Sequence, residues 1–259
     1  MTALENLPLE YGNWVRKRVL IILALICLIL GALVFLPFGP YFRIGAAVLF
    51  AMALLSFLFP AYAFVMFSHR GGRFQEEVYA LIVDELGIAS GAVVDIGTGN
   101  GVLAVTVARA NPAATVLGID YWGRNWEYSQ AACEGNAEAG GVADRVTFQH
   151  GDAATLDFAD GQFDAAVSNL TFHEVRSVSD KRVVLAEALR VIRPGGAFVF
   201  VDYFYNRGYY GPGADFDAFL AGLGLESVSL RPLKDAIPVP LLLRHPRILG
   251  PAGILTGVR

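Results

Sequence analysis

VVDIGTGNG, Val93 to Gly101, is the stretch on which the reading of this chain turns. Val93 and Val94 open a short buried strand that ends in Asp95-Ile96-Gly97-Thr98-Gly99-Asn100-Gly101 and runs straight into a helix, Val102 to Ala110. Closely spaced glycines at a strand-to-helix turn let backbone approach a ligand that side chains would block, and the helix N-terminus adds N–H groups beside it. The dinucleotide fingerprint is G-x-G-x-x-G. Here the third glycine comes one residue early, and an acid stands two residues before the first.

Further strands follow at the intervals of an alternating α/β chain. Thr115 to Asp120 (TVLGID) is apolar and ends in an acid, and Val146 to Asp152 (VTFQHGD) does the same. Phe163 to Leu170 (FDAAVSNL) is a fourth strand, and Ala188 to Phe204 (ALRVIRPGGAFVFVDYF) reads as helix, Pro-Gly-Gly turn and fifth strand. Helices are expected over about 126–139, 181–192 and 216–223, with a strand near 226–230. Together with Asp-x-Gly-x-Gly-x-Gly, these segments resemble the class I S-adenosylmethionine (SAM)-dependent methyltransferases, nearest the broad ubiquinone/menaquinone-type group. The resemblance covers residues 74–259 and is specific for fold and cofactor, not for the acceptor. It implies a seven-stranded Rossmann-like sheet with helices on both faces, Gly253 to Val258 being a seventh strand inserted antiparallel beside the fifth.

The same resemblance implies a set of SAM contacts. Asp95 orients the methionine amino end, while Gly97, Thr98, Gly99 and Gly101 shape the loop around it. Asp120 takes the ribose hydroxyls, as a carboxylate accepts two O–H donors, and Tyr121 stacks on adenine. Asp152 and Ala153 hold the adenine edge, and Asn169 lines the methyl end. His173 and Glu174, in NLTFHEV, stand just past the fourth strand, where one of them fits a general base. A loop brace or a helix cap is the plainer role for them. Asp202 and Tyr203 are weaker candidates of the same kind.

Composition locates the rest. The apolar fraction is 55% and the mean hydropathy +0.49, an excess concentrated near the N-terminus. Val19 to Phe38 is free of charge, and Ile44 to Phe67 is a second such run interrupted only by Pro60. Each as a helix spans roughly the 30 Å of a bilayer core, so 19–67 reads as a transmembrane hairpin after an N-terminal segment, 1–18. Ala24, Cys27 and Gly31, with Ala47 and Ala51, offer small faces for the helix–helix contact. Arg16, Lys17 and Arg18 precede the first span, Arg70 and Arg73 follow the second, and the connection carries only Arg43. The positive-inside rule puts both ends, and the catalytic domain, in the cytoplasm. A cleaved signal peptide fits poorly: the first run is long for an h-region, no A-x-A-like site follows, and a second span comes at once.

Two cysteines and four scattered histidines give neither a disulfide framework nor metal-ligand spacing, and with a net charge of −4 no basic stripe argues for nucleic acid. No metal and no nucleic acid are expected. The join at 68–73 is short. Phe74, Val78, Leu81, Ile82 and Leu86 form a helical stripe suited to covering the sheet or to meeting the membrane. Tyr203 to Gly213 crowds five aromatics into one loop, fit for a substrate lid or for packing on the domain. Ile237 to Leu249 is apolar with three prolines and two arginines, fit for a membrane interface or a substrate cap. The expected function is methyl transfer from SAM to a small lipophilic acceptor in or near the bilayer. A SAM-binding sensor or scaffold without catalysis, and a nicotinamide-dependent oxidoreductase, are the competing readings.

Overall fold

The computed structural model describes residues 9–123 and 127–259. They form two compact units, residues 11–76 and residues 77–259, the latter joined by Leu9 and Glu10. The first unit holds α1 (Lys17–Val34) and α2 (Pro40–Phe67), packed side by side as a hairpin. Pro60 lies inside α2, which continues past it to Phe67. The close contact uses Cys27 and Gly31 of α1: a Cβ on Gly31 would lie 3.3 Å from the Phe50 ring. On α2 the interior alanines are Ala46 and Ala63, whereas Ala47 and Ala51 are exposed. Of the expected small faces, Gly31 lies in the contact, where Phe50 of α2 fills the space it leaves, whereas Ala47 and Ala51 do not. The chain leaves α2 through a tight turn in which the Gly72 N–H donates to the Val65 carbonyl at 2.9 Å. A Cβ on Gly71 would sit 2.2 Å from that same oxygen, so only glycine fits.

The second unit begins along α3 (Phe74–Leu86), whose Val78, Ile82 and Leu86 are buried. The apolar stripe therefore faces an interior. Then come β1 (Ser90–Ile96), α4 (Val102–Ala110), β2 (Ala113–Asp120), α5 (Gln130–Ala139), β3 (Val146–His150), β4 (Phe163–Asn169), α6 (Lys181–Arg190) and β5 (Ile192–Asp202). The short α7 (Arg207–Tyr210), α8 (Gly213–Gly222), β6 (Ser227–Pro232), α9 (Leu233–Ala236) and β7 (Gly253–Val258) complete it. The strand order is β3-β2-β1-β4-β5-β7-β6; the first five are parallel and β7 runs antiparallel to both β5 and β6. This is the expected seven-stranded sheet. Buried on both faces, β1 and β4 read as continuous apolar runs.

Two boundaries differ from the sequence reading for physical reasons. α5 starts at Gln130 because the Ser129 hydroxyl caps it, accepting from the Ala132 N–H at 3.2 Å; the earlier expected start, Trp126, lies outside the described residues. Pro194-Gly195-Gly196 is not a helix-to-strand turn but an irregularity within β5, where the register against β4 shifts. Gly196 admits no side chain, since a Cβ would lie 2.5 Å from Ile192 Cγ2. The end of the chain staples this bulge: the Arg259 N–H donates to the Gly196 carbonyl at 2.9 Å, and its guanidinium reaches the Arg190 and Ile192 carbonyls.

α6 closes the face of the sheet through Val184, Leu185, Ala188 and Leu189, all in the main apolar cluster. Leu185→Ala is expected to cost about 2–5 kcal/mol, lowering the melting temperature of detergent-solubilised protein by roughly 5 °C or more. Val183→Ala, on the exposed side of the same helix, is expected to shift it by no more than about 2 °C.

Candidate active site

Strand order reverses between β1 and β4, and the crevice outside the carboxyl ends of the strands at such a switch point is where open α/β sheets bind ligands. The sequence-derived residues collect there. Asp95 is the sixth residue of β1, Asp120 ends β2, Asp152 follows β3, Asn169 ends β4, and His173 and Glu174 share a 3-10 turn just beyond it. Asp202, the last residue of β5, completes the row.

The glycine loop is shaped as its sequence requires. Gly97, Gly99 and Gly101 have φ of +79°, +60° and +77°, a region closed to most side chains. At Gly97 the constraint is double: a Cβ would stand 2.0 Å from Thr171 Oγ1, on the strand-end turn across the switch point. The loop spends its amides on its own neighbours. Gly97 and Thr98 N–H both donate to the Ile119 carbonyl, at 2.8 and 2.9 Å, and Gly99 N–H donates to Asp120 Oδ2 at 2.9 Å.

Asp95 is 1% exposed. Its Oδ2 accepts from the Thr98 hydroxyl at 2.7 Å, while Oδ1 is buried without a partner. Burial, with the nearby Asp120 charge, pushes its pKa up to about 7 despite the Thr98 bond. Thr98 is thereby placed as the brace of Asp95. Burial also raises the Asp120 pKa, against the backbone donors Trp122 and Gly99. Asp120 Oδ1 accepts from the Trp122 N–H at 2.8 Å, and each oxygen keeps a second lone pair for a hydroxyl. Gly151 N–H donates to the Asp120 carbonyl at 3.0 Å, which sets the β3 end beside it. Asp152 Oδ1 accepts from Ala154 N–H and Ser177 Oγ, at 2.9 and 3.2 Å. Ala153 is buried in the apolar cluster, so its backbone is what borders the site. Tyr121 is 63% exposed, with its ring 5.1 Å from His150. Asn169 Oδ1 is the other orphaned buried oxygen of the row.

This donor set fits SAM. A buried acid with a vacant oxygen suits an ammonium group, and a carboxylate at the end of β2 suits ribose hydroxyls. The same features disfavour a pyrophosphate, which needs free loop amides and no acid among them. Asp95, near the end of β1, sets a carboxylate beside the loop that would cradle that anion.

His173 and Asp202, at neighbouring strand ends, are brought together. His173 Nδ1 lies 3.0 Å from Asp202 Oδ1, and the His173 N–H donates to Oδ2 at 3.3 Å. The imidazole side chain is 9% exposed and its Nε2 lies 3.9 Å from Glu174 Oε1. Burial opposes charge on the ring, but the Asp202 charge and hydrogen bond outweigh it and hold the pKa above the ordinary histidine value. Tyr203 and Tyr209 flank the ring, with centroids 4.2 and 5.7 Å away. The aromatic loop thus divides: Phe204 and Tyr210 pack into the core, while Tyr203 and Tyr209 line the histidine. Beneath the turn, the buried Lys181 ammonium donates to the Val178 carbonyl at 2.7 Å and to the Val175 carbonyl, pinning the loop after His173.

Three further residues were missed by sequence reasoning. Trp122 sits at φ +43° and its indole N–H donates to the Gly99 carbonyl at 2.8 Å, clamping the glycine loop. Asn136, buried on α5, donates to the Asn100 carbonyl at 2.8 Å and to the Glu10 carbonyl at 3.1 Å, and accepts from the Glu10 N–H at 2.7 Å. Asn100 itself donates to the Glu10 carbonyl at 3.1 Å. A residue ahead of the first apolar helix is thereby tied to the cofactor loop. The positive φ at Trp122 and the long-range bonds of Asn136 leave no local sequence signal.

Residues 94–200 match the family described as a methyltransferase domain. Over that stretch the chain is similar to SAM-dependent methyltransferases. The chain is similar to the arsenite methyltransferase of Aquipseudomonas alcaligenes, 36% identical over 119 residues, 44% of this chain and 33% of that protein. It is also similar to the ubiquinone/menaquinone biosynthesis C-methyltransferase UbiE of Citrifermentans bemidjiense, 31% identical over 47% of this chain and 49% of that one. The match thus spans half or less of the length of either relative. Among solved structures, the [4+2]-cyclase SpnF shares the fold at a TM-score of 0.51 and 18% identity, over 70% of this chain and 79% of its own. A cyclase on the methyltransferase fold shows that architecture alone does not choose the reaction.

If SAM is the ligand that this donor set fits, Asp95 is expected to make its binding sensitive to pH. With a pKa of about 7, the carboxylate form available to a ligand ammonium is lost as pH falls through that value. The SAM dissociation constant, measured by calorimetry, is expected to rise about eightfold between pH 7.5 and 6. In Asp95→Asn binding should be weaker and nearly flat over this range.

Proposed function

We propose that this protein is a membrane-anchored enzyme that transfers a methyl group from SAM to a small, lipophilic, membrane-associated acceptor, with its catalytic unit on the cytoplasmic side. The observation that carries the reaction is the juxtaposition, at one sheet edge, of the buried, half-vacant Asp95 and the buried His173–Asp202 pair. Two helices long and apolar enough to cross a bilayer, 6% of each apolar window buried, support the anchoring.

SAM, when bound, supplies a methyl group already activated on a sulfonium. Asp95 holds the ammonium of the methionine end, Asp120 accepts from the ribose hydroxyls, Asp152 accepts from the adenine amine, and Asn169 borders the methyl end. His173 takes the proton from the attacking atom of the acceptor at Nε2, and Asp202 fixes the tautomer through Nδ1 and steadies the imidazolium. Glu174, beside Nε2, favours the protonated ring after transfer. Tyr203 and Tyr209 make an aromatic wall next to this base, suited to a flat or hydrocarbon acceptor. Relatives named for arsenite and for ubiquinone/menaquinone precursors act on small molecules, and the hairpin favours the membrane-borne kind.

Purified full-length protein given methyl-labelled SAM and membranes of the source cell is expected to place label in the lipid extract. Label confined to protein or water-soluble material would overturn the lipophilic acceptor. SAM binding with no transfer to any fraction would favour the sensor or scaffold instead. Once an acceptor is in hand, kcat/KM is expected to rise with pH to a plateau above neutrality, as His173 must be neutral to act. Asp202→Asn should lower kcat by roughly 10-fold or more and move the rising limb to lower pH. An unchanged pH profile would remove the pair from the mechanism.

A further inference from the structure

The segment between β6 and β7 carries a surface that neither the sheet nor the cofactor crevice uses. After α9 the chain makes a 3-10 turn, Leu241–Arg244, whose Leu241 and Leu242 are 78% and 55% exposed. These are not the side chains of a loose loop. Val239, Leu243 and Leu249 anchor the segment in the interior at 2%, 0% and 4% exposure. The backbone is knitted around them: Leu243 N–H donates to the Pro240 carbonyl and Leu249 N–H to the Leu243 carbonyl, both at 2.9 Å. The Arg244 guanidinium closes the turn by donating from Nε to the Val239 carbonyl at 2.9 Å. Two leucines are thus held outward on a fixed support, which costs solvation unless something apolar receives them.

Charge indicates what receives them. The chain has 24 acidic residues, yet 236–259 contains none, while Arg244, His245 and Arg247 follow the leucines directly and are exposed. An apolar tip followed by two exposed arginines, in a chain of net negative charge, matches the boundary between acyl chains and anionic headgroups. The six residues of 68–73, which join α2 to α3, reach about 20 Å at full extension.

We propose that the Leu241–Leu242 tip inserts into the interfacial layer of an anionic bilayer, with Arg244 and Arg247 on the headgroup phosphates. It is a second, peripheral membrane contact made by the catalytic unit itself. The proposal rests on the anchored reading above and adds a site that the hairpin does not require. Docked this way, the unit would have a fixed attitude to the bilayer from which a lipophilic acceptor leaves.

The test uses the full chain in vesicles of phosphatidylcholine with phosphatidylglycerol, carrying a nitroxide on L242C in a Cys27→Ala background. The buried Cys133 is left in place, and V183C serves as a control on an exposed face of α6. Flotation is measured first, then accessibility of the label to oxygen and to a water-soluble nickel chelate. At 242, collisions with oxygen are expected to exceed those with nickel several-fold, with the reverse at 183, and the preference should shrink in vesicles of phosphatidylcholine alone. A chain that floats but exposes 242 to nickel as fully as 183 overturns the docking tip and leaves the anchor standing. A label shielded from both reagents, or broadened by a second label nearby, marks a protein contact or a second copy and likewise overturns it. A chain that does not float overturns the anchor and the tip together.

Discussion

A carboxyl group buried to 1% exposure with one oxygen unpartnered is an expensive object to leave inside a protein, and the catalytic unit is arranged around it. Desolvation alone would keep Asp95 protonated. Thr98 supplies one hydrogen bond, and a ligand ammonium is the natural occupant of the other side. The surrounding elements hold that arrangement open. Gly97 and Gly101 turn the chain tightly enough to bring Thr98 back onto Asp95, and Thr171 fills the space where a Gly97 side chain would have been. Asp120 takes the Gly99 amide, and Trp122 the Gly99 carbonyl, so the loop is tied on both sides to the end of β2.

This tying has a consequence for ligand choice. A glycine loop whose amides are already committed to its own acids and carbonyls has little to offer a phosphate, however much its sequence resembles a dinucleotide fingerprint. The position of the acids matters more than the number of glycines.

The chemical end of the site follows from strand order. β4 and β5 are parallel neighbours, so the turn after one and the last residue of the other meet at the same edge. His173 and Asp202, 29 residues apart in the chain, become a hydrogen-bonded pair for that reason. Lys181, reaching back from α6 to two carbonyls of the intervening loop, keeps the histidine turn from drifting. On the other side, Asn136 ties the cofactor loop to Glu10, so the segment ahead of the hairpin takes part in the architecture of the catalytic unit.

The sequence by itself determined the fold class and the strand ends at which the candidate acids collect. Those signals are local: a strand of period and composition suited to burial, an acid at its end, and glycines spaced for a particular turn. The two apolar helices were legible for the same reason, since length and absence of charge are properties of a single run. Only the tertiary structure decided which candidates act together. Nothing near His173 in the chain names Asp202 as its partner over Glu174, and nothing near Asn136 points to Glu10. The Pro-Gly-Gly segment looked like a turn and proved to be a bulge within β5, held from the neighbouring β7 by Arg259, which lies 63 residues along the chain from Gly196. Pairings of that kind depend on which strands lie side by side, and adjacency in a sheet is settled by packing of the whole core rather than by any one segment.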